Sequence, residues 1–538
     1  MLANRSSVWT EIYIFERAAL KLKCEGYDLG RLLSLQDAQC AQAKFEPPRY
    51  VRRPEVVDIQ CDRIFKGDIL YAKGLPRQAL IPTRPDRLDM DCAAVRRRVF
   101  SRRNPPTGFP VAFAKVVYKD YEFLEEQLAV SYSPENTFCF ALDRKAPTDF
   151  RRKFVALSIC LDNVYVASEE YELDSAGRGQ SSAHFDCLRN IRERKWKYVI
   201  FQQNHDIVIK TNSEIVEIFK TMGGANDMEM SMCPQDSRCS LHEKNLGRLG
   251  LCPKNLSKKD LAACEKEEIT MAKGWAQVSL TRQTVEYLLD KLNTTRLIAE
   301  LHQMYYGMDE LFVQSIAATR ALRMPGMYPA RCLYENNSVA PSNHLFVTRL
   351  THWNWWKAYG CGSNIWRYWR PMAPVCPRHM DRRLFMAIRY KQTSEGAAAT
   401  AETVKSKFND MLNSSLFKCF ESKLGIRHNI CIFGVEDLPY IAGVHHLMVN
   451  KLMPDVDYGA ISCIGELLYN RTHYALDDHP LDLGIYENLP GVRLHKGMQN
   501  DSSYFDRFEC PKFPQRKKKP ISQVIGEFLV GRRSDATF

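Results

Sequence analysis

The fold class follows from residues 110–142, PVAFAKVVYKDYEFLEEQLAVSYSPENTFCFAL. Mostly apolar runs at 110–117 and 138–142 predict buried strands, and the segment between them, 121–132, predicts an amphipathic helix. The alternation continues with predicted helices and strands at 150–159, 164–168, 181–194 and 197–202. Strands that alternate with helices in this way predict an α/β domain with a mainly parallel sheet.

The rest of the chain is divided around this α/β pattern. Residues 1–105 contain proline-rich punctuation and are interpreted as a stem and N-terminal region, and residues 476–538 as a polar, basic C-terminal tail. Residues 106–475 form the predicted globular domain. Within it, 233–270 is an irregular segment with several cysteines, and 371–425 is interpreted as an insertion, part loop and part helix.

Charge and composition exclude some classes of function. The chain has 538 residues and a formal net charge of +12, yet 45% of its residues are hydrophobic, so most of it can bury a core. The basic excess is concentrated in short clusters at 151–154, 189–197 and 515–520. No nucleic-acid motif and no run of aromatic residues between basic ones accompanies them. A solvated basic surface is the simpler interpretation, and no nucleic-acid partner is predicted.

Eighteen cysteines spread along the chain indicate an oxidising compartment. No two of them lie two to four residues apart, as they do in a zinc module. Seven Asn-x-Ser/Thr sequons add mild support. Secretory-pathway residence conflicts with the lack of an apolar run of about 18 residues, the length that a membrane anchor needs. We therefore expect that the N-terminus of this sequence is incomplete.

Two carboxylate positions are candidate site residues. Asp143 directly follows the strand predicted at 138–142, where ligands of open α/β sheets bind, although a turn-capping role is equally compatible with its position. No second acid stands beside it in Leu142–Lys145, so the Asp-x-Asp of metal-dependent sugar transferases is missing. Asp309 and Glu310 lie at the start of a helix predicted over 308–322. Acidic residues are common there simply because they stabilise the N-terminus of a helix.

Basic and aromatic residues near the end of the domain are further candidates. Without a metal ion, the negative charge of a diphosphate must be balanced by Lys and Arg side chains. Arg427 and His428 precede a strand predicted at 429–434, and Lys451 follows it, so these residues could have that role. A single lysine is more often a surface group. Trp353 and Trp355 alternate along an extended segment and could stack on sugar rings, although tryptophans are more often part of a core.

An ordered set of motifs resembles one enzyme family. The segments, in chain order, are FPVAFAKVVYKDYEFLEEQL (109–128), FCFALDRKA (138–146), DNVYVAS (162–168), KWKYVIFQQNHDIVIKTNSEIV (195–216), YGMDELFVQSI (306–316) with MPG (324–326), ICIFGVEDL (430–438) and HHLMVNK (445–451). The set is similar to the core-2/I-branching β-1,6-N-acetylglucosaminyltransferase family, which also contains peptide O-xylosyltransferases. The resemblance covers about residues 55–475 and makes 106–475 the catalytic domain.

The resemblance implies a GT-A type glycosyltransferase fold and a mechanism. Such an enzyme moves N-acetylglucosamine from UDP-N-acetylglucosamine to a glycan hydroxyl with inversion, and it needs no metal or other cofactor. The catalytic base is the Glu of a Ser-Pro-Asp-Glu start that here becomes Gly307-Met308-Asp309-Glu310, so the role falls on Glu310. The diphosphate partners are Lys451 and either Arg427 or His428.

The resemblance also implies the remaining binding residues. Val116 and Asp143 become donor contacts, whereas Trp353, Trp355 and Asp309 become acceptor contacts. The family lies in the Golgi lumen behind an N-terminal membrane anchor.

Four disulfide pairings follow from the resemblance alone. The implied pairs are Cys61–Cys463, Cys92–Cys160, Cys139–Cys187 and Cys419–Cys431.

Three segments depart from the family pattern. Asp174-Ser175-Ala176-Gly177 replaces an aromatic segment, Lys273-Gly274-Trp275-Ala276 replaces a glycine- and serine-rich strand, and the insertion before residue 426 is longer than we expect. They leave two alternatives to the branching transferase open. One is an enzyme that transfers xylose to protein serine, and the other is a luminal protein that binds a glycan or nucleotide sugar without catalysis.

Overall fold

The computed structural model describes residues 49–84, 87–233, 239–304, 306–333, 346–351, 426–427, 430–474 and 481–511. Its strands are β1 Val111–Val117, β2 Thr137–Leu142, β3 Val164–Val166, β4 Tyr198–Gln203, β5 Ile207–Val208, β6 Ser231–Met232, β7 Ala272–Lys273, β8 Ser279–Thr281, β9 Arg349–Thr351, β10 Ile426–Arg427, β11 Ile430–Cys431 and β12 Met448–Asn450.

Helices flank these strands along the described chain. The α-helices are Cys61–Phe65, Ile69–Gly74, Cys92–Phe100, Tyr121–Ser131, Thr148–Cys160, Gln180–Asn190, Asn212–Met222, Leu246–Leu249, Lys258–Cys264, Arg282–Asp290, Thr295–His302, Phe312–Ala318, Leu438–Gly443, Tyr458–Tyr474, Leu483–Glu487, Pro490–Asn500 and Tyr504–Arg507. The 3-10 helices are Pro54–Val56, Met308–Glu310, Arg320–Leu322, Ala330–Cys332 and Val435–Asp437. No helix of the described segments is long and apolar enough to cross a membrane.

The central sheet confirms the predicted α/β fold. Its described strands follow the order β3-β2-β1-β4-β8, in which every pairing is parallel except that of β4 with β8. The strands β1, β2 and β4 therefore end at one edge, with Val116 beside Ala141 of β2 and Gln203 of β4. A second sheet has the order β5-β12-β9, and β12 runs parallel to β9 and antiparallel to β5.

The two faces of the central sheet differ in side-chain size. Phe113 and Phe138 lie in one hydrophobic core, on the side that holds the helices Tyr121–Ser131 and Thr148–Cys160. Small residues such as Ala114 and Cys139 face the other core. Because small side chains let a helix approach closely, helix Gln180–Asn190 packs directly against β1 and β2 there. Covering both faces explains why the strands are mostly apolar.

Both ends of the described chain pack onto this domain. Within the predicted stem, the helices that begin at Cys61 and Cys92 are joined to the domain by the disulfides Cys61–Cys463 and Cys92–Cys160. Within the predicted tail, residues 481–511 form three helices, and Cys510 is bonded to Cys332. The apolar side chains of residues 492, 494, 505 and 508 are buried, which gives this segment a core contact of its own.

Two sequence-based predictions of secondary structure are wrong in extent. The helix predicted over 308–322 is divided into Met308–Glu310, Phe312–Ala318 and Arg320–Leu322. One reason is that the Glu310 carbonyl accepts a hydrogen bond from the Gly274 amide, 2.9 Å away, outside the helix ladder. The strand predicted over 429–434 is limited to Ile430–Cys431 in the part of the chain that the structure describes.

Candidate active site

Asp143 begins the loop after β2, at the edge where the central parallel strands end. Its carboxylate is buried, and Oδ1 accepts hydrogen bonds from the backbone amides of Lys145 at 2.9 Å and Leu173 at 3.5 Å. The Asp143 amide donates to the Val117 carbonyl at the end of β1, at 3.0 Å. Asp143 thus caps its own turn while lying at the strand end, and buried Val116 of β1 is close in register.

A loop connects this edge to the turn that carries Glu310. Leu173 contacts Asp143, and three residues later the Ala176 carbonyl accepts the amides of Gly307 at 2.7 Å and Met308 at 3.3 Å. The Asp174 carboxylate stabilises the loop by accepting the Ala176 amide at 2.9 Å. The segment 174–177, one of the departures from the family pattern, therefore lies directly against the turn that carries the candidate base.

Glu310 is held from two directions. Its carbonyl accepts the Gly274 amide, and its Oε2 lies 3.1 Å from the Lys273 Nζ. The two side chains of this ion pair expose only 18% and 26% of their surfaces. Gly307, at φ 77°, supplies the left-handed residue that starts the 3-10 turn. A carboxylate on a turn fixed in this way can accept a proton from a hydroxyl placed against it.

Asp309, the neighbouring carboxyl, has a different environment. Burial and then the negative charge of Glu310 raise the pKa of Asp309 well above its ordinary value. Its side chain lies against Gly177, where no β-carbon would fit. Two adjacent carboxyl groups with different surroundings are a common arrangement where one of them acts as an acid or a base.

Arg349 brings a buried positive charge toward this pair. It lies on β9, with its guanidinium 4.9 Å from the centre of the Trp275 ring and Nη1 3.6 Å from Asp206 Oδ1. Burial lowers the pKa of Arg349, whereas the charges of Asp206, Glu310 and Asp309 oppose that shift. The Arg349 guanidinium therefore interacts electrostatically with the turn Met308–Glu310 as well as with Asp206.

Asp206 is the fully buried centre of this link. Its Oδ2 accepts the Gln203 amide at 2.6 Å, and Oδ1 accepts the Asn450 side-chain amide at 2.7 Å. Its backbone carbonyl accepts Nζ of Lys115 at 2.9 Å. Burial lowers the pKa of Lys115 to about 8. The network joins β1 and β4 of the central sheet to β12 of the second sheet.

Lys451 is the residue directly after β12, next to Asn450 of this network. Its carbonyl accepts the Phe433 amide at 2.9 Å, which connects the residue to the segment after β11. Burial lowers the pKa of His205, the Asp120 carboxylate opposes this, and the charges of Lys119 and Lys451 act in the same direction as burial. Lys451 therefore lies within electrostatic range of the loop after β4.

Several predicted site residues lie outside the described residues. These are Trp353, Trp355, His428 and Cys419. For Arg427 and Cys431 only the backbone is described, in β10 and β11. The pairs Cys61–Cys463, Cys92–Cys160 and Cys139–Cys187 are those that the resemblance implies. The described segments also contain the unanticipated pairs Cys233–Cys239, Cys252–Cys264 and Cys332–Cys510.

Four residues of the site were not among the sequence-based candidates. Lys115 is a charged residue inside the mostly apolar strand β1, and this placement was the available signal for it, whereas Arg349 is the first residue of the short strand β9. Asp206 is hidden in the loop of the KWKY…IKTN block, and Lys273 appeared only as a departure from the family pattern. Within the described ranges, no group of three or more His, Cys, Asp or Glu residues could hold a metal ion.

Comparisons with known proteins identify similar glycosyltransferases. The human (Homo sapiens) protein named beta-1,3-galactosyl-O-glycosyl-glycoprotein beta-1,6-N-acetylglucosaminyltransferase 3 is 24% identical over 479 residues, covering 86% of this chain and 94% of the human protein. A Bovine herpesvirus 4 protein, whose name is the same without the final numeral, is 24% identical over 477 residues, covering 86% of this chain and 93% of its own.

The match to a family model covers the central sheet and the turn Met308–Glu310. The model of the family described as Core-2/I-Branching enzyme matches residues 111–384, which include Val116, Asp143 and Glu310. Since this match takes in half of the sequence, the chain belongs to the core-2/I-branching enzyme family.

Proposed function

We propose that this protein is an inverting glycosyltransferase that moves N-acetylglucosamine from UDP-N-acetylglucosamine to a glycan hydroxyl. The product would be a β-1,6 branch on the O-glycans of glycoproteins. The observation that carries the proposal is the Glu310 carboxylate, held on a fixed turn by Lys273 and the Gly274 amide. The names of the relatives support the donor sugar and the linkage.

The chemistry assigned to Glu310 is general-base catalysis. Its carboxylate takes the proton of the acceptor's 6-hydroxyl as that oxygen attacks C1 of the donor sugar from the face opposite UDP. The bond between C1 and the diphosphate oxygen breaks, and UDP leaves with the electron pair. Direct displacement from the opposite face inverts the configuration at C1.

The departing diphosphate needs positive charge in place of a metal ion. Lys451, together with Arg427 or His428, is assigned this role, since Lys and Arg form the strongest bonds to phosphate oxygens. The metal-free assignment rests on the sequence after β2, where Asp143 is followed by Arg144 and Lys145 and no second acid stands nearby.

Binding of the two substrates is assigned to different sides of the turn. Val116 and Asp143 at the sheet edge are assigned to the nucleotide, and Asp309, Trp353 and Trp355 to the acceptor. The protein is assigned to the Golgi lumen. Support for this location comes from the disulfides of the described residues, which are typical of an oxidising compartment.

A second candidate is transfer of another sugar, such as xylose to protein serine. It is favoured by one observation: the segments 174–177 and 273–276, which depart from the family pattern, both contact the turn of Glu310. A panel of UDP-sugars assayed with glycan and peptide acceptors separates the candidates. Transfer of xylose but not N-acetylglucosamine would replace the first proposal with the second.

The decisive experiment is Glu310→Gln, measured as UDP release with acceptor and as UDP binding by calorimetry. We expect transfer to be lost while UDP binding stays near that of the wild type. Glu487→Gln, at an exposed ion pair with Lys496, is the matched control and should keep full activity. Full activity in Glu310→Gln would refute the base assignment, and loss of wild-type activity in EDTA would refute the metal-free assignment.

A further inference from the structure

Strand β7 and the segment after it are attached, along four consecutive residues, to the turn of Glu310 and to the helix Phe312–Ala318 that follows it. The Ala272 amide donates to the Ser315 hydroxyl at 3.1 Å, and that hydroxyl lies 3.2 Å from the Ala272 carbonyl. Two residues further, the Gly274 amide donates to Glu310, and the Gln314 side-chain amide donates to the Trp275 carbonyl at 2.7 Å. The backbone of residue 273 is therefore fixed relative to the backbone of Glu310.

Position 274 is restricted to glycine by the backbone of Glu229. A β-carbon there would overlap the Glu229 carbonyl oxygen and lie 3.0 Å from Cγ of Gln314. Gly274 thus contacts Glu229 as well as the Glu310 carbonyl, and the residue before it extends its side chain to the Glu310 carboxylate.

We propose that Lys273 is a positioning residue for the catalytic base, holding Oε2 of Glu310 so that Oε1 receives the acceptor's proton. This inference rests on the function proposed above. The Lys273 Nζ lies 3.1 Å from Oε2, within ion-pair distance, and both side chains are mostly buried. Exposed ion pairs contribute little because water screens them, and this pair is better shielded from water than an exposed one.

The charges around Glu310 explain why such a partner is needed. Asp309 precedes it on the same turn, and Asp174, from the adjoining loop, acts on Asp309 with the same negative sign. Arg349 approaches from β9, but its guanidinium is also engaged by Asp206. Lys273 from β7 is the cation in direct contact with Oε2 among the described ion pairs.

Removing the ammonium should change the titration of the enzyme as well as its rate. The two carboxyl groups of Asp309 and Glu310 would still repel each other, but the positive charge beside Oε2 would be lost. The pair would therefore bind a proton more readily. The acid limb of the pH profile of kcat/KM would then move to higher pH. A residue that only supported the fold would lower activity equally at every pH.

The test compares Lys273→Met with Lys273→Arg in the full chain. We expect Lys273→Met to lower kcat/KM by about 10- to 100-fold at neutral pH, the effect of a misplaced catalytic group, and to shift the acid limb upward. Lys273→Arg keeps the charge and should recover most of the activity with an unshifted profile. UDP binding should be unchanged in both variants. Lys273→Gln gives the same test should methionine impair folding.

The control is Lys220→Met, which removes a lysine from an exposed ion pair with Glu217 at a similar 3.2 Å. It should leave the rate and the pH profile at wild-type values. An unchanged profile in Lys273→Met, or equal impairment of Lys273→Arg and Lys273→Met, would overturn the inference. Activity retained in Glu310→Gln would instead refute the proposed function itself, so the two failures are distinguishable.

Discussion

Gly177 offers the most direct perturbation of the catalytic turn, through the substitution Gly177→Ala. Gly177 is buried with φ +93°, and a β-carbon there would overlap the Asp309 carboxylate oxygen and lie 2.6 Å from Cγ and 3.1 Å from the backbone nitrogen. Non-bonded carbon atoms prefer about 3.5–4.0 Å. Asp309 must therefore move by roughly 1 Å, and Glu310 is the next residue on the same 3-10 turn.

Two effects of this substitution have different magnitudes. A non-glycine residue in a left-handed conformation costs about 1–2 kcal/mol of folding free energy. A misplacement of about 1 Å near the reacting atoms lowers the rate by about 100-fold. We therefore expect a modest loss of stability and a large loss of kcat/KM. UDP binding should change little because Asp143, a proposed donor contact, is bonded to the loop at Leu173, four residues before Gly177.

Gly67→Ala is the matched control for backbone strain. Gly67 has a similar φ of +87°, but nothing lies within 4 Å of its β-carbon position. It should lose a similar free energy of unfolding, measured by denaturant titration without reductant, and keep wild-type UDP release. If Gly177→Ala kept as much activity as Gly67→Ala, the argument that the loop fixes the base through Asp309 would be refuted.

Three further predictions concern stability. Burial raises the pKa of Asp227 to about 6, so between pH 4 and 6 the folded state binds more protons than the unfolded state. The free energy of unfolding should therefore fall by about 2–3 kcal/mol as the pH rises from 4 to 6, relative to Asp227→Asn. Denaturant titrations at each pH measure this change. Asp206→Asn should cost about 3–5 kcal/mol because Arg349 loses its buried counter-charge, and a melting temperature equal to wild type would contradict this. Cys510→Ser should cost about 2–5 kcal/mol and expose 490–507 to limited proteolysis before the rest of the domain, since the bond to Cys332 joins these helices to the core.

The central sheet could be predicted because its information is local. The runs that form β1, β2 and β4 are mostly apolar and almost entirely buried, and burial on both faces favours this pattern. The order of motifs along the chain added the family, and the role of Glu310 stays a prediction. By contrast, the predicted tail, 476–538, is rich in charged residues. Its few apolar side chains do not by themselves predict that 481–511 packs on the domain, because the residues that they contact are distant in sequence.

The surroundings of the base could not be predicted in the same way. The helix predicted over 308–322 follows local periodicity, whereas the break after Glu310 depends on a hydrogen bond from Gly274. The Asp206 network likewise joins Asp206 to Asn450, which is 244 residues away in sequence. Contacts of this kind depend on the folded arrangement of distant segments, which single-sequence periodicity does not contain.

The Cys61–Cys463 disulfide makes the catalytic domain a covalent ring. Its cysteines are 402 residues apart, so every described strand and the whole predicted insertion at 371–425 lie between them in sequence. The entropy of closing a ring grows only with the logarithm of its length, so the roughly 55 residues of that insertion change the closure term by only about 0.1 kcal/mol. Lineages of such enzymes can therefore gain or lose long segments inside the ring at almost no entropic cost. A protease cut within the ring would leave both fragments joined until a reductant separates them.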